Sequence, residues 1–213
     1  MDDKKIKDDQ KKYLLAIEAA LAGGSLSLWK DGAEIDRLCG TNDVSKAEDL
    51  LENIAVLLKR NDLSGSHLRA IAAATDAGSA TGLKIGAATA QGLAKAFGCQ
   101  LLYVSLWNAL AEHLGALKAA IVLLPSGKNS VGQREYQAGK FTSETQIINC
   151  APPEFEWDKS ENKGENKNEP RQILAHRRII NRQTFPEDLP LTDLGENFAT
   201  YIGKFVARLI TKQ

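Results

Sequence analysis

Apolar and polar residues change their spacing several times along this chain, and each change predicts an element. Tyr13-Leu-Leu-Ala-Ile17 is a short unbroken apolar run, the pattern of a buried strand. Ser25-Leu-Ser-Leu-Trp29 alternates with a period of two, as a half-buried strand does. Lys30-Asp31-Gly32 reads as a hairpin turn, because Gly accepts the positive φ of the primed turns, and Ala33 to Cys39 is the returning strand. The chain is therefore expected to open on an antiparallel meander.

Helical spacing follows. Ser45-Lys-Ala-Glu48 is a capping box, in which the Ser hydroxyl accepts from the amide three residues on and the Glu carboxylate reaches back. Leu50, Leu51, Ile54, Leu57 and Leu58 then recur at helical intervals, predicting a helix over Ser45–Arg60. Ala70 to Thr75 is a second buried strand. Asp76-Ala-Gly-Ser-Ala-Thr-Gly82 is a loop, with Ser79 or Thr81 as cap of a helix from Leu83 to Phe97 that stops at Gly98. Gly82, Gly86, Ala90 and Ala94 recur every four residues along it, a stripe that lets a neighbouring backbone approach closely. Gln100–Val104 is the next strand and Leu106–Leu114 a short helix.

The remainder is less regular. Ala119–Leu124 reads as a strand, Pro125 to Ser130 as a turn, and Val131–Ala138 with Lys140–Asn149 as a hairpin around Gly139. From Glu156 to Arg171, nine of sixteen residues are charged, which predicts a flexible charged loop. Leu194, Phe198, Tyr201, Ile202, Phe205, Val206, Leu209 and Ile210 form a full apolar stripe on a closing helix capped by Thr192 or Asp193. The expected organisation is a polar tail at 1–12, an N-terminal domain at 13–118, and a smaller C-terminal part at 119–213 with its charged loop at 156–171.

Composition narrows the function classes. Lys+Arg and Asp+Glu are both 27 among 213 residues, so formal net charge is zero, which argues against a chain that holds a nucleic acid by itself. No apolar run approaches a membrane span, and the first residues carry no secretory pattern, so a cytoplasmic protein is expected. Cys39, Cys99 and Cys150 are odd in number and far apart, with neither disulfide nor metal spacing. His67, His113 and His176 fall in no metal-binding motif, so they are read as surface or packing residues, and no GxSxG elbow is present. No catalytic and no metal-ligating residue is assigned.

Two glycine loops are the candidates for phosphate. Gly78-Ser-Ala-Thr-Gly82 precedes a helix, whose N-terminus attracts anions, but it matches neither the Walker nor the GxGxxG spacing. Leu21-Ala-Gly-Gly24 joins the first two strands, with Glu18 at the end of the first. Glu18, Gly23, Gly24, Gly78, Ser79 and Thr81 are thus the members of two degenerate phosphate loops.

Taken in order, these segments resemble one family. LLAIEAALAGGSLSLWKDG is similar to its opening strand, hairpin and second strand, and Asp43 to Leu51 to the start of its first helix. Ala73 to Gly86, with the core GSATGLKIG, resembles its GPGSFTGLRIG signature, and Ala90-Gln-Gly-Leu-Ala94, Phe97-Gly98 and Val104-Ser105 continue in register. The family is that of the bacterial TsaB (YeaZ) proteins of tRNA threonylcarbamoyladenosine synthesis, also labelled glycoprotease-like. The likeness covers roughly Tyr13 to Ala138.

That resemblance implies an α/β fold of the actin-like, ribonuclease H-like kind, a mixed sheet flanked by helices, with a smaller C-terminal part ending in a long amphipathic helix. It implies a non-catalytic partner subunit that dimerises with itself or with a TsaD-like paralogue through its first two helices. Carried onto this chain, the contact residues would be Leu50, Ile54, Leu57, Gly86, Ala90 and Leu93. The family's Asp-Thr after the first strand is Glu18-Ala19 here, its signature Pro and Phe are absent, and its Arg is Lys84. Each change removes polar or shaped groups from a nucleotide cleft, so no cofactor is expected. The competing readings are an actin-like enzyme binding ATP and magnesium, and a diverged paralogue serving as an interaction module outside the pathway.

Overall fold

The expected meander forms β1 (Tyr13–Glu18), β2 (Ser25–Lys30) and β3 (Ala33–Cys39). The computed structural model describes residues 11–21, 23–40, 49–127, 129–149, 172–182 and 190–211. β1 pairs antiparallel with β2, from Tyr13 opposite Lys30 to Glu18 opposite Ser25. Asp31 and Gly32 both have positive φ, 49° and 83°, the backbone of the primed hairpin turn that Asp-Gly favours. β4 (Leu68–Ala74) and β5 (Gln100–Val104) add in parallel beyond β1, so the first sheet runs β3-β2-β1-β4-β5. This is the βββαβα order that an actin-like lobe requires.

Two helices cover one face of that sheet. α1 (Leu50–Lys59) ends on β3: Arg60 Nε and Nη2 each donate to the Asp36 carboxylate at 2.6 Å, and Asn61 Nδ2 donates at 2.6 Å. The Arg60 guanidinium holds the Asp36 carboxyl below its ordinary range. The capping box at Ser45–Glu48 lies outside the described residues. α2 (Ala80–Phe97) begins three residues before Leu83, because Ser79 is its cap and accepts the Gly82 amide at 3.1 Å. It ends at Gly98, whose φ of 59° is the left-handed stop.

α3 (Leu106–Leu114) leads from the first sheet into a second, ordered β11-β10-β6-β7-β8, with β9 also on β7. β6 (Ala119–Pro125) and β7 (Ser130–Gln137) form its central antiparallel pair. The single strand expected over Lys140–Asn149 is instead two short ones, β8 (Lys140–Phe141) and β9 (Gln146–Asn149). Ser143 interrupts them, accepting the Glu135 amide on its hydroxyl and Arg134 Nε on its carbonyl. β10 (Gln172–Ala175), α4 (Arg177–Arg182) and β11 (Leu191–Asp193) complete the sheet, with β10 parallel to both β6 and β11. The charged segment expected to be a loop, 156–171, lies outside the described residues, as does the tail before residue 11.

The closing helix is α5 (Ala199–Thr211), and its start corrects the expected cap. Thr192 and Asp193 belong to β11, and Gly195, with φ of 77°, turns the chain before the helix begins. Asn197 caps instead, its Oδ1 accepting the Thr200 amide at 3.2 Å.

Strand alternation sorts the core into layers. Leu15, Ile17, Leu26, Leu28, Ile71 and Ala73 pack beneath α1 and α2. Leu14, Ala16, Ala70 and Ala72 face the other way and share a continuous core with α3, α5 and the inner face of the second sheet, from Ala120, Val122 and Leu124 to Leu174. Phe198, Ile202 and Val206 of the α5 stripe are thus buried between the two sheets, while Leu209, near the end of the helix, is exposed. Among the described residues no helix is long and apolar enough to cross a membrane.

α5 is seated on β2 by polar groups as well. Ser25 and Ser27, expected on a solvated face, are 3% and 0% exposed. Ser25 Oγ accepts the Ala199 amide at 2.9 Å, and Ser27 Oγ donates to the Ala199 carbonyl at 2.8 Å while accepting Trp29 Nε1 at 2.8 Å. The Trp29 indole lies flush against Gly203: a Cβ there would sit 1.9 Å from Nε1. Gly203→Ala is therefore expected to cost about 1–3 kcal/mol through overpacking, despite the better helix propensity of Ala. Urea unfolding followed by far-UV circular dichroism would measure it.

Candidate functional site

The two glycine loops fold against each other at the end of β1. Gly23 and Gly24 have φ of 80° and 65°, and Gly78 has φ of 102°. The Gly24 amide donates to the Leu21 carbonyl at 3.0 Å, and the Gly24 carbonyl accepts the Gly40 amide at 3.0 Å. From the other side, the Ser79 amide donates to the Ala20 carbonyl at 2.9 Å. A Cβ on Gly78 would lie 2.6 Å from the Ala20 backbone, and one on Gly82 would lie 2.3 Å from the Ala19 carbonyl oxygen. Glycine is required at both positions because the Ala19–Ala20 backbone occupies the space in front of α2.

Glu18, Gly23, Gly24, Gly78 and Ser79 are brought together, as expected of two facing loops. Their amides, however, already serve the chain: Ser79 N–H points at Ala20 and Gly82 N–H at Ser79 Oγ. The positive end of α2 is capped internally. Thr81 is exposed on the first turn of α2.

Glu18 is 1% exposed. Its Oε1 accepts the amides of Ala20 and Leu21 at 2.5 and 2.7 Å, while Oε2 has no hydrogen-bond partner. Burial pushes its carboxyl up to about 7, against the opposing pull of those two amides. Alternation places its side chain with Ala16 and Ser25 on the α5 side of the sheet. A small cavity of about 20 Å³ borders the same strand end, with Gly23, Gly24, Leu26, Leu38, Gly40, Leu50 and Asn53 among its walls. Leu26, Leu38 and Leu50 among its walls belong to the α1 side of the sheet.

A magnesium nucleotide does not fit this site. Magnesium favours ionised oxygen ligands with an ordered water shell, whereas the Glu18 carboxyl is enclosed and favours its neutral form. The cavity holds about one water molecule. Among the described residues no group of three His, Cys, Asp or Glu side chains could hold a metal.

The six helix residues lie mostly in the core. Leu50, Ile54 and Leu57 of α1 and Ala90 of α2 are buried at 8%, 3%, 0% and 0% exposure in the core over the sheet. Gly86 is buried against Ala19, whose Cβ would lie 3.2 Å from a Cβ at 86, and Leu93 is half-buried. These six fix the helices to their own sheet and present little to a partner. The outward face consists of other residues: Leu51 and Val56, 57% and 44% exposed, with Ala55 between them on α1. On α2 it is Ala88, Gly92 and Ala96, spaced by four, and nothing lies within 4 Å of a Cβ built on Gly92.

Asp76 is a structural residue that sequence reasoning passed over. Its Oδ1 accepts the Leu106 amide at 2.7 Å, capping α3 from thirty residues away. The only sequence signal is an Asp in a loop of small residues. Of the surface and packing roles expected for the histidines, His176 has the packing one: it is 1% exposed, and its ring stacks on Phe198. Its Nδ1 accepts the Arg178 amide at 3.0 Å, and Nε2 has no partner. Burial first, then the Arg178 charge, brings it down to about 4.

The sheet order, the facing loops and the returning helix define an α/β protein of the actin-like fold. Comparison with families places it further. Residues 44–151 match the family described as TsaD: tRNA N6-adenosine threonylcarbamoyltransferase. That match spans half of the chain, and the chain belongs to this family. No curated protein matches at a significant level. Two solved structures align over nearly the whole length. One is an uncharacterized Pseudomonas aeruginosa protein with similarity to peptidase YEAZ, 17% identical, with a TM-score of 0.60 and 93% of each chain covered. The other is YeaZ from Pseudomonas aeruginosa, 17% identical, with a TM-score of 0.59 and 94% of each chain covered. At that identity the likeness concerns the fold. A Bacteroides thetaiotaomicron protein with actin-like ATPase fold and unknown function aligns more loosely, at 12% identity and a TM-score of 0.43 over 88% of this chain and 87% of that one.

Three substitutions test this geometry. Gly82→Ala drives a Cβ into the fixed Ala19 carbonyl and is expected to cost more than the exposed Gly92→Ala, which should stabilise the chain by up to about 1 kcal/mol. Asp76→Ala should cost about 1 kcal/mol by leaving the Leu106 amide without its acceptor, while Ser105 still caps α3. Urea midpoints at constant m-value would rank the three.

Proposed function

We propose that this protein is a non-catalytic partner subunit resembling TsaB, supporting threonylcarbamoyladenosine modification of tRNA. It acts by pairing, through the outer face of α1 and α2, with a TsaD-like subunit or with a second copy of itself. The observation that carries this reading is that outer face. Leu51, Ala55 and Val56 are exposed on α1, and Ala88, Gly92 and Ala96 form an exposed small-residue stripe on α2, which allows another helix to approach closely. Membership of the threonylcarbamoyltransferase family supplies the pathway. The internally bonded glycine loops support a role without nucleotide chemistry. A formal charge of zero suits a subunit that leaves the tRNA to its partner.

The test is sedimentation of the chain alone and with the TsaD-like subunit of its own organism, at micromolar concentration. A homodimer or a complex is expected in the wild type and is abolished by Gly92→Arg or Leu51→Asp. Both positions are exposed, so the variants keep the wild-type unfolding midpoint within about 1 kcal/mol. Absence of any association overturns the reading. Tight calorimetric binding of ATP with Mg²⁺ would favour the enzyme alternative. Association without rescue of a TsaB-depleted strain would favour an interaction module outside the pathway.

A further inference from the structure

Two buried titratable side chains lie near the start of α5 on opposite sheets, His176 against Phe198 and Glu18 one strand pairing from Ala199 through Ser25. Glu18, on β1, lies directly across from Ser25, whose Oγ accepts the Ala199 amide at 2.9 Å. His176 follows β10, and its ring stacks on Phe198 with centroids 5.1 Å apart and planes 18° from parallel. Each is 1% exposed. The connection between them is bonded closely to the second sheet: the Leu194 amide donates to the Ala175 carbonyl at 2.9 Å, and Tyr201 Oη to the Leu194 carbonyl at 2.9 Å.

Unmet polarity concentrates at this joint. Four buried side-chain atoms lack a hydrogen-bond partner among the described residues, and three of them are Glu18 Oε2, His176 Nε2 and Asn197 Nδ2. Such groups are uncommon in protein interiors, and each keeps a hydration that burial defers. The docked helix is therefore balanced between apolar packing and deferred hydration.

We propose that Glu18 and His176 form a compensating pair of proton-linked groups controlling the docking of α5. Both are neutral when the helix is docked. One becomes charged by losing a proton and the other by gaining one, so their effects on docking run in opposite directions with pH and largely cancel.

The signs follow from burial. Glu18 is raised from its ordinary 4.5 to about 7. It favours docking fully below pH 4.5, and that contribution is lost as pH rises through about 7. His176 is lowered from its ordinary 6.5 to about 4. It favours docking fully above pH 6.5, and that contribution is lost as pH falls through about 4. The two windows overlap over most of their length.

The surrounding charges leave this arrangement intact. Around His176 stand Arg177 and Arg178 from α4 and Asp193 from β11; the Arg residues oppose its protonation and Asp193 favours it. Arg177 is paired with Asp193 at 2.8 Å. Glu196 in the connection, and Cys39, Arg37 and Glu34 of β3, form the charged rim beyond them. Glu34 also accepts from Thr200 Oγ1 on α5. The causes acting on Glu18 are burial and its two backbone bonds.

Hydrogen exchange of the α5 amides, referenced to those of β4 and measured from pH 4.5 to 7, tests the pair. The wild type is expected to vary by less than about tenfold. E18Q removes the acid, so α5 protection should rise with pH by about a hundredfold or more. H176N keeps an acceptor for the Arg178 amide and removes the base, so protection should fall with pH by a similar factor. A wild type that varies a hundredfold, or variants as flat as the wild type, overturns the proposal. If either variant fails to fold, carboxyl-carbon and imidazole titrations of the wild type decide: midpoints near 7 for Glu18 and 4 for His176 support it, and midpoints at 4.5 and 6.5 overturn it.

Discussion

The seat of α5 on β2 is the interaction on which the rest of this structure depends. Ser25 and Ser27 bond both the amide and the carbonyl of Ala199, and Trp29 closes over Gly203 one turn later. These contacts bring residues from near the end of the chain onto the sheet formed by its beginning. The first sheet needs this cover, because Leu14, Ala16, Ala70 and Ala72 would otherwise present an apolar face to water. The second sheet needs it equally, because Leu174 and the inner face of β6 pack into the same core. One helix therefore satisfies two surfaces. The boundary expected near residue 118 separates the sheets but not their core.

Much of the fold was legible in local pattern. The Asp31-Gly32 turn, the Ser79 cap, the Gly98 stop and the α3 span follow from rules acting within a few residues, and those elements appear where expected. The misses are long-range. Ser25 and Ser27 have the alternation of a half-exposed strand, and only α5, more than 170 residues away, makes them interior groups. β10 and β11 are short, and they are held in the sheet by their pairing with β6 and with each other, a contact that local periodicity does not encode. The start of α5 was placed too early because Leu194 continues the apolar stripe in register, although Gly195 breaks the backbone before the helix begins.

The candidate site was legible in membership but not in state. Sequence order alone brings Glu18, Gly23, Gly24, Gly78 and Ser79 together, since a strand end and a helix start separated by a parallel crossover must meet at one edge of the sheet. Whether such a meeting forms an anion cradle depends on distances of a few tenths of an ångström. Here Ala19 and Ala20 press so close to Gly78 and Gly82 that a single added methyl group would not fit. The amides that might face a phosphate face this backbone and the Ser79 hydroxyl instead. The same glycines that permit a phosphate to approach also permit a chain to approach, and residue type does not distinguish the two.

The small residues of α2 make the same point about partners. One stripe, Gly82, Gly86, Ala90 and Ala94, is buried and lets α2 lie close to the β1 end and the sheet. A second, Ala88, Gly92 and Ala96, has the same spacing on the opposite side and touches nothing at Gly92. A helix that needed only its own sheet would require the first stripe alone. On a solvated face, Gly92 costs helix stability without any packing return inside the monomer. The inward stripe explains how α2 is held. The outward stripe is a cost that the isolated chain does not explain, and a closely packed partner helix would.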